Sequence, residues 1–348
     1  MSEVVAMSKN RVIALPVATR AAASQLRDAY DLFRLEKQGS LLSPASLNFY
    51  DLHVGKFLAW LEANYPGVGR FGDLEVDALR RYRAELAASP GRYDRHLSPE
   101  TLLCSHRALR VFLRWADLEG YPVDSRLIRM PAPRVPHKEM TVFHMVQLRR
   151  LLAAASHSPV EELTIRILVG SGVRMSELYG LALMGPDGLP DLMLDSMDRG
   201  RAELRVRWDA GAKGRKARRV PVTPALAAAI KRYASRHRHP HDSPVLLINR
   251  YGLPFQKGGI ESMMNRLQAK VGFRVHAHAF RHTFATVATQ MGWNFERLRS
   301  AMGHEDYMTL HRYVRLAMDR DLGRLEDWTE FIAVPPHVGL SPSTFIRR

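Results

Sequence analysis

Cysteine is nearly absent from this sequence. Cys104 is the single one in 348 residues, which excludes a disulfide framework and any zinc site built on cysteine. A lone thiol of this kind fits a reducing cytoplasm, and a cytoplasmic protein is the expectation. Long apolar runs are missing as well: no stretch approaches the roughly 18 residues that span a bilayer. The segment "VIALPVA" after Arg11 is short, broken by Pro16 and without a convincing cleavage site, so neither export nor a membrane partner is expected. Acidic residues are the third shortage. Against 51 Lys+Arg stand 35 Asp+Glu, a formal net charge of +16, with pI near 10.3. Such an excess attracts polyanions, and nucleic acid is the commonest inside cells. A basic protein with no such partner is the plainer alternative. Hydrophobic residues make up 46% and charged residues 25%, as in a soluble globular protein. The length suits one large domain or two ordinary ones with a core each.

Residues 1–20 read as a flexible tail. Amphipathic patterns follow. "SPASLNFYDLHVGKFLAWLEAN" offers Ser43 as N-cap and Pro44 at the first helical position, with apolar residues at helical spacing from Leu47 to Leu61. "SPETLLCSHRALRVFLRWADLEG" repeats the device with Ser98 and Pro99, and Gly120 stops it. Val76, Leu79 and Leu86 mark a helix between these two, and "AAASQLRDAYDLFRLEKQG" another before them. Residues 21–128 thus form an all-helical unit. "RMPAPRVPHKEM", 129–140, is an extended, proline-bearing linker. From 141 to 335 the pattern is mixed, with a tail over 336–348. Helices are expected at 141–155, 160–169 and 175–183. "RAELRVRW" and "ARRVPV" read as strands around a turn with Lys213 at its tip, "PVLLIN" as another strand, and helices resume from Gly259 to about Phe331. The fold class is mainly α with a small β-sheet or hairpin.

Four islands carry chemistry. In "GSGVRMSEL", Arg174 follows two glycines and precedes Ser176 and Glu177; its fork either faces a phosphate or decorates a turn. In "GAKGRKARRVPV", Lys213 can swing onto a ligand and carry a proton, or sit in a solvated basic turn; Lys216, Arg218 and Arg219 add positive density for phosphate contacts. In "HAHAFRHTFATVATQM", a count of 100° per residue puts His278, Arg281, His282, Ala285 and Thr289 on one face. Phe280, Phe284, Val287 and Met291 occupy the opposite, core face. A histidine cap with a surface arginine remains the alternative there. In "AMGHEDYMTLHRYVRL", Gly303 and His304 mark a break between helices, and Thr309 can cap a new one with Tyr313 in its first turn. Tyr307, in the connection before that cap, suits packing or a DNA contact. "RHRHPHD" places His237, His239 and His241 close together, more as a solvated connection than as a metal site.

In this order and spacing, the islands resemble the tyrosine recombinase (phage integrase) family. The family's Thr/Ser-Gly-hydrophobic-Arg box followed by Glu matches Ser171 to Glu177, and its lysine hairpin matches Ala212 to Val222. Its His-x-x-Arg-His box matches His278 to His282. Its Gly-His with a later tyrosine matches Gly303, His304 and Tyr313. Ala212 replaces a common glycine, with Gly211 one place earlier, which keeps Lys216 as an alternative to Lys213; Met302 replaces a common leucine. The likeness covers roughly residues 21–332. It implies two domains, a helical SAM-like core-binding domain and a mixed α+β catalytic domain. It also implies a site-specific recombinase acting on double-stranded DNA, through a 3′-phosphotyrosine on Tyr313. Arg174 and Arg281 would bracket the nonbridging oxygens with a further hydrogen bond from His304. His278 would take the phenol proton and Lys213 protonate the 5′-oxygen, with Glu177 and His282 in support. No cofactor and no metal are expected. A homotetramer on paired sites is implied, with accessory DNA-bending proteins as optional partners. Integration or excision of a mobile element is the first role. The alternatives are a chromosome-dimer resolvase, a type IB topoisomerase-like enzyme, or a DNA-binding regulator on a decayed integrase. The segment "RDLGRLEDWTEFIAV" serves either a subunit contact or its own domain.

Overall fold

The computed structural model describes residues 26–89, 96–136, 139–194, 202–209, 217–239, 242–303 and 307–334. The chain divides into two units, 1–138 and 139–348, each with an apolar core of its own.

The first unit is built from helices α1 (Leu26–Gly39), α2 (Pro44–Asn64), α3 (Val76–Ala88), α4 (Pro99–Leu118) and the short α5 (Ser125–Ile128). Both Ser-Pro pairs start helices where expected. The Ser46 N–H donates to Ser43 Oγ at 3.2 Å, and the Thr101 N–H to Ser98 Oγ at 3.2 Å. Proline at the first position gives up a donor the helix end would leave unpaired. Aromatic rings fill the centre of this unit. Fully buried Phe33 meets Tyr50, Phe112 and Trp115 edge-on, with centroids 5.1, 5.5 and 5.4 Å away. Such pairs add to the burial itself.

The second unit opens with α6 (Met145–Ala155), α7 (Pro159–Ser171) and α8 (Met175–Leu178). A three-stranded antiparallel sheet follows, β1 (Leu192–Leu194), β2 (Ala202–Val206) and β3 (Arg218–Val222), in that spatial order. Then come α9 (Pro224–Arg232), which runs into a π-helical turn at Tyr233–His237, and α10 (Lys257–Val271). The chain continues with α11 (Ala277–Gln290), α12 (Phe295–Met302), α13 (Tyr307–Asp319) and α14 (Leu325–Trp328). α11 is the central helix, packed between α7 and α13.

Several expectations need correction. The helix expected over 175–183 stops at Leu178, because Ala182 turns away to bridge Val245. "PVLLIN" is no strand of the sheet; Val245 and Ile248 make only isolated bridges. The third strand is instead β1, too short to show an alternation. His237 ends the π-helical turn rather than lying in a loop; His241 lies outside the described residues. Through residue 334, the C-terminal segment packs on its own unit. Trp328 and Ile332 are fully buried, Thr223 Oγ1 donates to the Glu330 carbonyl at 2.8 Å, and Trp293 Nε1 to that of Ala333 at 2.8 Å.

Truncating the aromatic centre of the first unit tests whether the cores are separate. Phe33→Ala is expected to cost about 3–5 kcal/mol. Amide exchange should lose protection across residues 26–136 and keep it across 139–334; equal loss in both would contradict independent cores.

Candidate active site

Arg174 reaches the site because of a turn only glycine can make. α7 ends on Gly172 in the left-handed region, φ 60°. A Cβ there would also sit 2.4 Å from the Phe284 ring of α11, so the turn is pressed against the central helix. Two residues later the Arg174 N–H donates to Glu177 Oε2 at 2.7 Å, and Arg174 Nη1 to Glu177 Oε1 at 2.8 Å. The Glu177 side chain has no exposure. It is therefore more than a helix-start acid: Arg218 of β3 grips both of its oxygens, Nη1 to Oε1 at 2.8 Å and Nη2 to Oε2 at 2.7 Å. Burial alone would raise this carboxyl, but the bonds and charge of Arg218, then of Arg174, hold it down at about 2.

Arg281 is not on a surface stripe. The core face of α11 is as the helical wheel predicts, with Phe280, Phe284 and Val287 fully buried, but Arg281 and Ala285 on the supposed polar face are buried too. The wheel assumes one wet side, whereas α11 is flanked on both. Arg281 Nη1 donates to the Gly172 carbonyl at 2.6 Å, and Nη2 to the Met302 carbonyl. Burial, then the nearby Arg174 charge, lowers its pKa to about 9, so it stays a cation at neutral pH. Arg174 Nη2 donates to the next carbonyl, Gly303, at 3.0 Å. The two guanidiniums thus hang on adjacent peptide carbonyls. Glu177, bonded to Arg174 and Arg218, is one negative charge among the three guanidiniums, which leaves an excess of positive charge for an anion.

Tyr313 lies beside them, only 2% exposed. Its hydroxyl is 3.1 Å from Nδ1 of His282. Burial raises the phenol pKa while Arg281, Arg174 and Arg312 pull it down; it rests protonated. Burial, then the neighbouring His278, drops His282 to about 4, so its ring is neutral and can accept. The contact expected of His278 thus belongs to His282. The His278 ring stands 6.2 Å from that of His282, at 89°, and is exposed. Partial desolvation, then Arg281 and Arg174, lowers its pKa. The histidine that caps α11 is His276, whose Nδ1 accepts the Ala279 N–H at 3.2 Å.

α13 begins at Tyr307, so Thr309 lies inside it instead of capping it, and Tyr313 falls in the second turn. Lys213, Lys216 and His304 lie outside the described residues, as does the Tyr307 side chain. Arg218 is the residue the sequence reading misplaced. It was expected to add density for phosphate contacts, yet its side chain is only 7% exposed and is spent on Glu177. A signal existed: in "RRVPV", strand alternation sets Arg218, Val220 and Val222 on one face, opposite Val206, Leu204 and Ala202 of β2. Arg219, on the other face, is exposed and 3.7 Å from Glu203. Among the described residues, no group of three His, Cys, Asp or Glu is placed to hold a metal, and no helix is long and apolar enough to cross a membrane.

Comparison with known proteins places this geometry. Residues 140–320 match the model of the phage integrase family. Tyrosine recombinase XerA of Thermococcus kodakarensis is 26% identical over 281 residues, covering 80% of this chain and 86% of that protein. Tyrosine recombinase XerD of Caulobacter vibrioides is 28% identical over 265 residues, covering 70% and 78%. Among solved structures, a lambda integrase dimer bound to a COC′ core site superposes with a TM-score of 0.64 at 12% identity, over 88% of this chain and 81% of that one. The XerH site-specific recombinase bound to palindromic difH substrate gives a TM-score of 0.59 at 19% identity, over 84% and 82%. The family match alone takes in more than half of the sequence; the chain belongs to the phage integrase family and is a site-specific tyrosine recombinase, an enzyme that transfers DNA strands.

Proposed function

We propose that Tyr313 is the nucleophile of this recombinase and that it exchanges strands of double-stranded DNA through a 3′-phosphotyrosine. The observation that carries this reading is the placement of its hydroxyl on neutral His282, beside two arginines anchored on adjacent carbonyls. The phenol oxygen attacks the scissile phosphorus and the bond to the 5′-oxygen breaks. The phenol proton passes to a histidine, since a group of pKa ~10 attacks poorly while protonated. We assign that acceptor to His282, with His278 donating to the phosphate from the exposed side. A phosphodiester anion bound beside His282 favours its protonated form and so strengthens it as a base as the substrate docks. Arg174 and Arg281 stabilise charge on the nonbridging oxygens from fixed positions, the task that metal ions perform in many phosphoryl-transfer enzymes. His304 adds a hydrogen bond and Lys213 gives its proton to the departing 5′-oxygen, with Lys216 the alternative donor. Reversal of these steps by a new 5′-hydroxyl reseals the strand, so no cofactor enters.

Two duplexes require four cuts, one tyrosine each, hence a homotetramer on paired sites in the cytoplasm, with DNA-bending proteins as optional helpers. The helical unit and the catalytic unit, taken as 21–128 and 141–335 around the 129–140 linker, both engage the duplex. Integration or excision of a mobile element is the role we favour. The relatives named as Xer recombinases support resolution of chromosome dimers as a second reading. Recombination of plasmids bearing either element ends or the chromosomal dimer site separates the two.

A nicked suicide substrate carrying the recombination site tests the chemistry. The parent protein should form a covalent DNA adduct with a strong chelator present, and Tyr313→Phe should form none. An adduct in the Phe variant, or its loss on chelation, would sink the assignment. The two histidines are told apart by rate. His282→Ala is expected to slow adduct formation about 100-fold or more, His278→Gln less; the reverse order returns the proton to His278.

A further inference from the structure

The last carbonyls of an α-helix lack intrahelical donors and lie at the negative end of its dipole. At the end of α12, Gly303 adopts the left-handed conformation, φ 59°, and its N–H satisfies the carbonyls of Arg299 and Ser300. The next three carbonyls each take a different guanidinium. Arg218 Nε donates to Ala301 at 2.7 Å, Arg281 Nη2 to Met302, and Arg174 Nη2 to Gly303 at 3.0 Å. One helix end thereby gathers arginines from β3, α11 and the turn before α8.

Arg218 closes the frame. Its two Nη atoms hold both oxygens of Glu177, and Glu177 Oε1 in turn holds Arg174 Nη1. The path from the Ala301 carbonyl through Arg218, Glu177 and Arg174 to the Gly303 carbonyl is a continuous ring of charge-assisted bonds, the strong kind. Gly303 is part of the fit: a Cβ there would stand 3.2 Å from Arg218 Cδ, at a backbone angle that side chains rarely adopt. With 7% of its side chain exposed, against 18% for Arg174, Arg218 offers DNA almost nothing directly.

We propose that Arg218 is a positioning residue of the recombinase, fixing the plane of the Arg174 guanidinium through Glu177 and locking the end of α12 from which the chain runs to Tyr313. The proposal rests on the reading that Arg174 and Arg281 clamp the scissile phosphate. A lysine cannot replace Arg218, because a single ammonium on a flexible stem does not meet two carboxylate oxygens and a carbonyl in one plane.

The test uses the full-length protein, the suicide substrate and four variants: Arg218→Met, Arg218→Lys, Arg218→Met with Glu177→Gln, and Tyr313→Phe. Noncovalent DNA affinity and the single-turnover adduct rate at saturating DNA are measured from pH 5 to 9. Affinity should stay at the parent's value. The rate should fall about 100-fold in Arg218→Met, as for other small misplacements of a reacting group, and about 10-fold in Arg218→Lys. Arg218→Met should also acquire an acidic limb. Without Arg218, buried Glu177 gains protons more readily; its neutral form releases Arg174, so the rate drops further as pH falls. The double variant, with nothing left to titrate there, should be slow without that limb. Parent rates in the Lys and Met variants, or a loss that merely tracks weaker DNA binding with no added limb, overturn the proposal. Where Arg218→Met does not fold, Arg218→Lys decides by the same readouts. An adduct formed by Tyr313→Phe would sink the catalytic reading itself, whereas its absence there beside unimpaired Arg218 variants sinks only the positioning role.

Discussion

A single buried carboxylate organises the second unit's chemistry. Glu177 has no contact with solvent, and an isolated charge in that place would cost several kcal/mol. Arg174 and Arg218 remove that cost from opposite sides. Both are thereby held in place, Arg218 nearly buried and Arg174 with part of its side chain still open to solvent. The debt runs the other way as well. Three guanidiniums gathered at one helix end repel one another; burial first, then the charge of Arg174, lowers the pKa of Arg281. Glu177 and the peptide carbonyls at the end of α12 make the cluster tolerable in the resting protein. On the proposal that Arg174 and Arg281 clamp the scissile phosphate, the phosphodiester would balance the remaining positive excess.

How legible this was depends on the range of each interaction. Helix starts were local matters. Ser43-Pro44 and Ser98-Pro99 act within one turn, and both helices begin where the residues say. The four islands were legible as islands because residue identity and spacing are preserved along the chain. Their internal geometry was not. The Glu177–Arg218 pair spans 41 residues and depends on the register of β3 against β2, which no local pattern specifies. That the Tyr313 hydroxyl meets His282 rather than His278 depends on the direction from which α13 approaches α11. That is a packing outcome of two helices, and both histidines look alike on a single wheel. The wheel also presumed a wet side for Arg281, and the flanking of α11 by α7 and α13 removes it. Thr309 looked like a cap because threonine caps well, yet the helix starts two residues earlier and takes it inside.

The two units divide the labour of a basic protein differently. In the first, the aromatic cluster around Phe33 does the holding, and exposed arginines such as Arg27 and Arg80 pair with the surface carboxylates Glu62 and Asp77. Exposed pairs of that sort contribute little to stability and exchange readily for other anions. In the second, Arg174, Arg218 and Arg281 are fixed to backbone carbonyls, the first two also to a buried acid. One kind of cation is loosely held at the surface, the other is fixed in direction.

On the proposal that Tyr313 is the nucleophile, its near-complete burial bears on the covalent intermediate. A phosphotyrosyl ester conserves the energy of the broken DNA bond only while water is kept from it. A phenol 2% exposed and set against His282 of α11 leaves bulk solvent a poor approach. A broken strand's terminal hydroxyl, held close by its partner strand, competes with a high effective concentration. The partition between rejoining and hydrolysis would then depend on the packing of the helix that carries the tyrosine. On that reading, the helix that carries the tyrosine would protect the ester as well as present the attacking group.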